Sequence, residues 1–330
     1  MNRKIENCRD FNGCIDLSKL EGYKEKGEVV NGSYTKAWYN VDGTRFLHKQ
    51  YSSILLAFGE VLYSKVAKSI GVNCASYDFA ELYGEPGVIT YDFLKKDEAY
   101  YTTLELTSEF TDSKFSLAEI QKNKDLLAMH NSKYNNLKSI KELLENLFHI
   151  SDDEKKQIQI ELVKMFCLDA LFLHSDRNLW NHGVIVDELT DKMRLAPIHD
   201  NSHVLRLENG KEYIKNAISR LISNEKIEDF ENSSTFNVVD GCENLLDQLI
   251  RFYVEADDDV RAIIEDIYYN VNVQKCVEEV NNVCKIDDVS LLWIKAMLNY
   301  RQNSILKVIE SVKISDDEAK MPNISLNKRK

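Results

Sequence analysis

The chain has 330 residues, 44% of them hydrophobic and 29% charged, so it is long enough for two domains, or two lobes around a cleft, with a sizeable core. Its formal net charge of -12 argues against direct nucleic-acid binding, because neutralising phosphates needs a concentrated surface of lysine and arginine. A local basic patch is not excluded by this charge.

The sequence has no run of eighteen apolar residues, and its N-terminus does not resemble a signal peptide. We therefore expect a soluble, cytoplasmic protein that does not enter a membrane. The seven cysteines follow no CxxC or Cys/His spacing, which favours reduced thiols over a disulfide framework or a zinc site.

The first strand signals form a hairpin. Two β-branched and aromatic runs between residues 28 and 50 flank Asp42 and Gly43, a dipeptide typical of tight hairpin turns. Residues 52–72 then repeat apolar side chains at steps of three and four and end near Gly71, which predicts an amphipathic helix.

Two more strand-like runs, residues 74–83 and 87–94, stand on either side of turn-forming residues 84–87. The first hundred residues are therefore predicted to form a small antiparallel sheet with one helix inserted. No internal repeat interrupts this pattern.

Beyond Phe115 the pattern is mainly helical. The clearest helix starts at Ser151, which forms a capping-box pattern with Glu154, and its apolar face continues to Phe172. Two short strand candidates follow at 182–188 and 192–198, and helical periodicity then dominates from about residue 240 to Val312.

Asp176 lies five positions ahead of Asn181, where the long helix ends and a strand is about to begin. Asp200 follows the second strand candidate, and a hairpin between them would return it to the neighbourhood of Asn181. Phosphoryl transfer needs such a set: a carboxylate to deprotonate the attacking hydroxyl, and oxygen ligands for the magnesium that bridges nucleotide phosphates. The spacing alone arises about once by chance in such a chain, so its value lies in its position.

The N-terminal sheet offers a second, independent signal. Lys49 ends the strand-like "TRFLHK", and Glu60 lies on the next helix, in the order that a kinase requires for its phosphate-binding lysine and that lysine's partner. Upstream, "NGSYTK" stands where a phosphate-covering loop would lie, with Gly32 allowing close backbone approach.

At these positions the chain resembles a known family. "HSDRNLWNHG" and "APIHD" look like the paired catalytic and metal-binding motifs of HipA-type serine/threonine kinases, and "GEVLYSKVAKSIGV" resembles a helix pattern of that family. The length is closer to the compact, CtkA-like branch. The resemblance covers about residues 28 to 205.

The resemblance implies an α+β, two-lobed protein-kinase-like fold. Residues 1–96 would form a small antiparallel β N-lobe that binds nucleotide, residues 97–312 a mainly helical C-lobe with the catalytic and metal-binding loops, and residues 313–330 a flexible tail. It also implies ATP and Mg²⁺ as cofactors, transfer of the γ-phosphate to a protein hydroxyl, autophosphorylation and an antitoxin-type partner.

The family's functional residues carry over by motif. Asp176 becomes the catalytic base, Asn181 and Asp200 the magnesium ligands, Lys49 the phosphate-binding lysine and Glu60 its ion-pair partner. The phosphate loop and the hinge between the lobes supply the other nucleotide-binding residues, which are Gly32, Ser33, Tyr91, Asp92 and Phe93.

The motifs also depart from the family. His174 stands where the family usually has asparagine, Asn178 stands where it has histidine, and "IHDN" replaces the commoner tyrosine–aspartate ending. These changes leave the acid and the metal ligands in place, but they put the reaction rate or the substrate preference in question.

Simpler interpretations stay open at each position. Asp176 could cap its helix or pair with Arg177 at the surface, and Lys49 with Glu60 could be a surface ion pair. Glu81 and Glu85 are rivals to Glu60, and His174 and His182 are interpreted as structural. For the whole protein, the alternatives are a kinase-fold enzyme that phosphorylates a small molecule or a lipid headgroup, and a nucleotide-binding pseudokinase.

Overall fold

A computed structural model describes residues 2–10, 12–26, 34–110, 115–147, 150–223, 238, 242 and 244–320. Gly32, Ser33 and residues 321–330 of the predicted tail lie outside the described residues. Within the described part, no helix is both long and apolar enough to cross a membrane.

The N-lobe is a five-stranded sheet with one long helix. After α1 (Arg3–Glu6), its elements run β1 (Ile15–Asp16), a 3₁₀ helix (Leu17–Tyr23), β2 (Thr35–Val41), β3 (Thr44–Gln50), α2 (Ile54–Ser69), β4 (Tyr77–Leu82) and β5 (Glu85–Tyr91). The strand order is β1-β4-β5-β3-β2, antiparallel except for the short parallel pair of β1 with β4.

Both predicted hairpins are present, and the turns explain their register. Asp42 and Gly43 have positive φ angles of 50° and 84° between β2 and β3, the geometry that matches strand twist in a two-residue turn. The second turn lies at Tyr83 and Gly84, with φ of 54° and 81°. The prediction of a turn over residues 84–87 was therefore wrong by two residues, because β5 already begins at Glu85.

The sheet separates two layers. Its outer face packs Tyr39, Phe46 and Ile89 against the N-terminal segment of Ile5, Ile15, Leu17 and Leu20. Period-two alternation puts the direct cross-strand partners Lys36, Lys49 and Val88 on the other face, which α2 and the C-lobe cover. The chain before residue 28, which was assigned to the N-lobe, thus completes its core with a helix and a strand that the sequence did not predict.

Helix α2 connects the two lobes. Ser53 caps its first turn by accepting a hydrogen bond from Leu55 N–H. Gly59 allows the helix to approach the C-lobe, since a Cβ there would stand 2.8 Å from the side chain of Val204 and 3.2 Å from that of Leu207. This close approach places the neighbouring Glu60 at the interface between the lobes.

The C-lobe is mainly helical. Its helices are α3 (Thr103–Phe110), α4 (Leu117–Lys122), α5 (Lys124–Tyr134), α6 (Leu137–Asn146), α7 (Asp152–Phe172), α8 (Gly210–Ile222), α9 (Leu245–Glu255), α10 (Asp258–Asn270), α11 (Val273–Val283) and α12 (Asp288–Lys320). Helix α12 continues eight residues past Val312, so residues 313–320 of the predicted tail are helical.

A small antiparallel sheet of β6 (Glu98–Thr102), β7 (Gly183–Asp187) and β8 (Met193–Leu195) lies in the C-lobe. The predicted hairpin between residues 182 and 198 is present as β7 and β8. Strand β6 was not predicted, and its pairing with β7 requires Gly183, where any Cβ would collide with the backbone of Tyr101 and Thr102.

Helix α7 is the central support of the C-lobe, and it begins where the capping box predicted. Ser151 accepts from Glu154 N–H, and the Glu154 carboxylate accepts from Ser151 N–H at 2.9 Å. The helix ends at Phe172, and Leu173 follows in the left-handed region with φ of 48°. The next residues form the loop that carries Asp176.

Replacing Ser151 with alanine removes one half of this cap. We expect Ser151→Ala to lower the free energy of unfolding by about 1 kcal/mol, measured by urea denaturation. Ser219→Ala, inside α8, is the matched control, because that hydroxyl only bonds the Lys215 carbonyl within its own helix and alanine is favoured there. Equal losses for both variants would contradict the capping role.

Candidate active site

A buried ammonium group lies where the lobes meet. Lys49 Nζ, on β3, is 2.8 Å from Glu60 Oε1 on α2 and 3.0 Å from Asp200 Oδ1 of the C-lobe. The side chains of Lys49 and Glu60 are only 5% and 0% exposed. The alternative of a surface ion pair is therefore wrong, and the rivals Glu81 and Glu85 are exposed strand residues.

The two carboxylates are themselves held in place. Tyr51 donates its hydroxyl to Glu60 Oε2, and Asn201 N–H donates to Glu60 Oε1 at 3.3 Å. Asp200 N–H donates to the Tyr77 hydroxyl at 3.1 Å. Each lobe thus contributes hydrogen bonds to the acidic residue of the other, which fixes Asp200 opposite Lys49.

The charges of this group stabilise one another. Burial opposes the charged form of Asp200, but Lys49 and Lys36 outweigh that penalty and hold the pKa of this carboxyl well below its usual value. Burial likewise opposes the Lys49 ammonium, and Asp200 and Glu60 raise its pKa well above the usual value. Both groups are therefore charged at neutral pH.

Asp176 lies half-buried on the loop after α7, with its carboxylate oriented by neighbours in sequence. Asn178 Nδ2 donates to Oδ1 at 2.9 Å, and Asn181 Nδ2 donates to the Asp176 carbonyl at 2.7 Å and to Oδ2 at 3.3 Å. Burial raises the pKa of Asp176, and His203 and Asn178 oppose the rise while Asp200 adds to it. A carboxylate with a raised pKa is a stronger base.

Arg177 joins the loop to the hairpin that follows it. Its guanidinium is fully buried and forms a bidentate pair with Asp169 of α7, at 2.9 and 3.0 Å. It also donates to the carbonyls of Asn181 and His199, at 2.9 and 2.8 Å. Arg177 therefore does not pair with Asp176 at the surface. It holds both ends of the β7–β8 hairpin together, which brings Asn181 and Asp200 into one site.

His174 provides a second link. Asp176 N–H donates to Nδ1 at 3.2 Å, so Nε2 carries the proton and donates to the Asp200 carbonyl at 3.2 Å. This bridge requires a neutral imidazole, and burial lowers the pKa of His174 to about 4. The histidine that replaces the family's usual asparagine thus ties the backbone of Asp176 to that of Asp200.

The predicted structural role of both histidines is confirmed. His182 is buried between the Thr103 hydroxyl at 2.8 Å and the Asn135 side-chain oxygen at 3.1 Å. Asn178, the other departure, orients Asp176 and accepts from Trp180 N–H at 3.0 Å. The departures from the family pattern therefore supply hydrogen bonds that hold the loop.

The oxygens near Asp176 suit a magnesium ion. Asn181 uses its amide nitrogen to bind Asp176, which leaves its oxygen as the ligand atom, and the Asp200 side chain is 27% exposed. Amide and carboxylate oxygens are the hard ligands that Mg²⁺ prefers, usually together with substrate phosphates. Asn181 and Asp200 would hold the ion, and Lys49 would meet the phosphates.

The side chains of the three predicted hinge residues point in different directions. Tyr91 pairs with Phe46, packs on it and approaches Asp78 at 3.5 Å, so its side chain lies on the outer face, away from Lys49. Its contribution near an adenine base would come from its backbone. Asp92 binds Arg45 at 3.1 Å, and Phe93 packs against His199 with 5.7 Å between ring centroids.

A buried polar atom next to the hinge fits a bound base. Thr90 has no hydrogen-bond partner for Oγ1 among the described residues. It is the cross-strand partner of Leu47 and of Tyr77, whose hydroxyl binds Asp200, so it lies on the face of the sheet that carries Lys49. An adenine ring at this face could satisfy that hydroxyl.

Sequence analysis missed several residues of the site. Tyr34 lies inside the predicted phosphate loop "NGSYTK", and its hydroxyl lies 2.9 Å from His203 Nε2 across the cleft. Arg177 and Asp169 were also missed as a pair, although an arginine one position after Asp176 was visible in the motif. Lys36, inside "NGSYTK", is the cross-strand neighbour of Lys49.

Breaking the Arg177 pair should be costly. We expect Arg177→Met to destabilise the fold by about 3 to 5 kcal/mol, because it leaves the Asp169 carboxylate buried and unpaired, as urea denaturation would show. Arg251→Met is the control: Arg251 and its partner Glu255 are 51% and 57% exposed, so the loss should stay below about 1 kcal/mol. Similar losses for the two variants would contradict the role of Arg177 in holding the ends of the β7–β8 hairpin together.

The neutral His174 predicts a pH dependence of stability. Its pKa falls from 6.5 to about 4 on folding, so between these values the unfolded chain binds a proton that the folded chain does not, and stability is lost as pH falls. His174→Asn should reduce the slope of the unfolding free energy against pH by about 1 kcal/mol per unit in this window. Parallel curves for the variant and the wild type would contradict the assignment.

Solved structures place this geometry among known folds. The Helicobacter pylori proinflammatory kinase CtkA matches with a TM-score of 0.68 and 15% identity over 92% of this chain and 99% of that one. HipA of the Shewanella oneidensis MR-1 toxin–antitoxin system, solved with HipB and operator DNA, matches with a TM-score of 0.43 and 12% identity over 90% of this chain and 69% of its own.

No protein-family model matches the sequence, and no curated protein matches it. At 15% identity the likeness to CtkA establishes the fold. The predicted architecture, an antiparallel β N-lobe on a helical C-lobe, is confirmed, and the chain has the protein-kinase-like fold of CtkA.

Proposed function

We propose that this protein is an ATP- and Mg²⁺-dependent kinase that transfers the γ-phosphate of ATP to a serine or threonine hydroxyl of a protein, its own chain included. The observation that carries the proposal is the buried Lys49–Glu60–Asp200 group. This group joins the Lys49 ammonium of the N-lobe to the Asp200 carboxylate of the C-lobe. His174 in turn bridges the backbone of Asp200 to the backbone of Asp176.

Each residue of the site has a separate role in the proposed reaction. Bound Mg²⁺ would neutralise charge on the phosphates, and Asn181 and Asp200 supply oxygen ligands for it. Lys49, fixed by Glu60, adds a positive charge that needs no reorganisation when the reaction occurs. Because charge compensation by a preorganised site is the main contribution to phosphoryl transfer, burial of this group supports turnover.

Asp176 is suited to receive the proton of the acceptor hydroxyl. Its carboxylate is half-buried, oriented by Asn178 and Asn181, and raised in pKa by burial. The backbone of its loop is fixed by Arg177 and His174. The base is thus held with little freedom, as proton transfer at a defined distance requires.

The protein acceptor is inferred from the resemblance to HipA-type kinases, and an antitoxin-type partner is proposed on the same ground. Transfer to a small molecule or to a lipid headgroup uses the same carboxylates, so variants of the site do not distinguish these acceptors. Phosphosite mapping by mass spectrometry after incubation with ATP and Mg²⁺ does so. Phosphate on serine or threonine supports the protein acceptor.

We expect Asp176→Asn to lower phosphate transfer by about a hundredfold or more while the fold and ATP binding remain, because the base is lost but the nucleotide contacts stay. Asp200→Asn should abolish both transfer and Mg²⁺-dependent ATP binding. Radiolabelled ATP measures transfer, and thermal shift with ATP, with and without Mg²⁺, measures binding.

Asp191→Asn is the matched control, since Asp191 is exposed in the β7–β8 turn and shares a positive φ, 55° against 58° for Asp200. Its activity should equal that of the wild type. Transfer that survives both Asp176→Asn and Asp200→Asn would refute the proposal. ATP binding without any transfer by the wild type would favour a pseudokinase.

A further inference from the structure

Two helices hold the backbone of the loop that carries Asp176, which spans residues 176–182. Thr103 and Leu104, the first residues of α3, donate their N–H groups to this loop at 2.9 Å. The acceptors are the carbonyls of His182 and Leu179, respectively. Since the first N–H groups of a helix have no partner within it, the loop completes the start of α3 and is held by it.

Helix α5 contacts the same loop through two asparagines that are one turn apart. Asn131 Oδ1 accepts a hydrogen bond from Leu179 N–H at 3.1 Å. Asn135, the residue that ends α5, donates from Nδ2 to the Arg177 carbonyl at 2.7 Å. Its Oδ1 lies 3.1 Å from His182 Nε2, so this ring nitrogen carries the proton and donates it. Asn135 therefore binds the loop near both of its ends.

The two helices are also joined to each other beside the loop. His182 Nδ1 accepts from the Thr103 hydroxyl at 2.8 Å, so the imidazole connects α3 to Asn135. One turn further along α3, the Thr107 hydroxyl lies 2.9 Å from His130 Nε2 of α5. Helices α3, α4 and α5 and the loop each contribute one residue to a buried apolar cluster, which consists of Leu104, Ile120, Tyr134 and Leu179. The loop is thus bound to a support that is itself packed and hydrogen-bonded.

The segment held in this way separates two groups of the proposed reaction. Asp176 precedes the bound backbone, Asn181 lies within it, and Asn181 Nδ2 donates to the Asp176 carbonyl at 2.7 Å. A shift of this backbone changes the distance between the proposed base and the amide oxygen proposed for Mg²⁺. Misplacing a catalytic group by about 1 Å costs roughly a hundredfold in rate. Asn135 is only 1% exposed, and buried hydrogen-bond networks that are satisfied are rigid.

We propose that Asn131 and Asn135 are positioning residues, which set the geometry of Asp176 relative to Asn181 by binding the backbone of the loop. Asn135 acts through Arg177 and His182, and Asn131 acts through the Leu179 N–H group. Their loop partners lie 42 to 48 positions later in sequence. This inference rests on the proposed function, since it names further residues that serve the same reaction.

The test removes the Asn135 amide from the full chain and keeps its approximate volume. Amide hydrogen exchange of the peptide that covers residues 177–182 should be about tenfold faster or more in Asn135→Leu, because the loop opens more easily without these hydrogen bonds. Transfer from radiolabelled ATP is measured at saturating Mg²⁺, with casein and the chain itself as acceptors. The kcat should fall by about tenfold to a hundredfold, and the KM for ATP should change by less than about threefold, because the nucleotide contacts of the N-lobe remain.

Gln248→Met is the matched control, because Gln248 is also a buried amide that accepts one hydrogen bond and donates another. It accepts from Val238 N–H at 3.1 Å and donates to the Cys242 carbonyl at 3.2 Å, outside the loop. Urea denaturation should show a loss of stability for both Gln248→Met and Asn135→Leu. Gln248→Met should keep the kcat of the wild type and its exchange rate over residues 177–182.

Asn131 provides a second pair of variants, which carries the test if Asn135→Leu does not fold. Asn131→Asp keeps the oxygen that accepts from Leu179 N–H and should retain most of the kcat. Asn131→Leu removes that oxygen and should lower the kcat by about threefold to tenfold. Rescue by the aspartate distinguishes the lost hydrogen bond from a general loss of stability.

The outcomes separate this inference from the proposed function. If the wild type transfers phosphate and the leucine variants lose stability but keep the kcat and the loop exchange rate, the positioning role is refuted and the kinase proposal stands. The same conclusion follows if Gln248→Met lowers the kcat as much as Asn135→Leu does. If the wild type transfers no phosphate, both proposals are refuted.

Discussion

The structure depends on a buried ammonium group that two carboxylates from different lobes neutralise. Removing Lys49 from water would cost several kcal/mol per ion without Glu60 and Asp200 beside it. Because Glu60 comes from α2 and Asp200 from the end of the β7–β8 hairpin, the charge balance is complete only when the lobes are docked. The same contact that stabilises the interface therefore assembles the proposed site.

Two buried polar side chains, Arg177 and His174, hold the loop that carries Asp176. Arg177 is fully buried, yet every contact described for its guanidinium is made to a carboxylate, an amide oxygen or a carbonyl, so its desolvation is compensated. His174, kept neutral by burial, bridges the backbones of Asp176 and Asp200. Departures from the HipA-type motifs at 174 and 178 thus change how the loop is held and keep the carboxylates in place.

Two lysines of the N-lobe face the cleft, and carboxylates compensate them. Lys36 and Lys49 are direct cross-strand partners, and the charges of Asp200 and Glu60 offset the repulsion between them. Thr90, by contrast, leaves a hydroxyl without a partner among the described residues. A buried polar atom of this kind is expected where a ligand completes the interactions.

The sequence by itself determined the features that depend on neighbours along the chain. Hairpin turns at Asp42, the amphipathic pattern of α2 and the capping box at Ser151 are local, and all three were predicted correctly. Motif order also predicted a site made of Lys49, Glu60, Asp176, Asn181 and Asp200. The structure brings Lys49 into contact with Glu60 and Asp200, and Asn181 into contact with Asp176.

Only the tertiary structure decided what depends on residues far apart in sequence. It selected Glu60 over Glu81 and Glu85, directed the Tyr91 side chain to the outer face, and paired Arg177 with Asp169. It also added strand β6, which exists because it pairs with β7, about 85 residues away. Periodicity and spacing describe one segment at a time, whereas burial, charge pairing and strand partners are set by which segments meet.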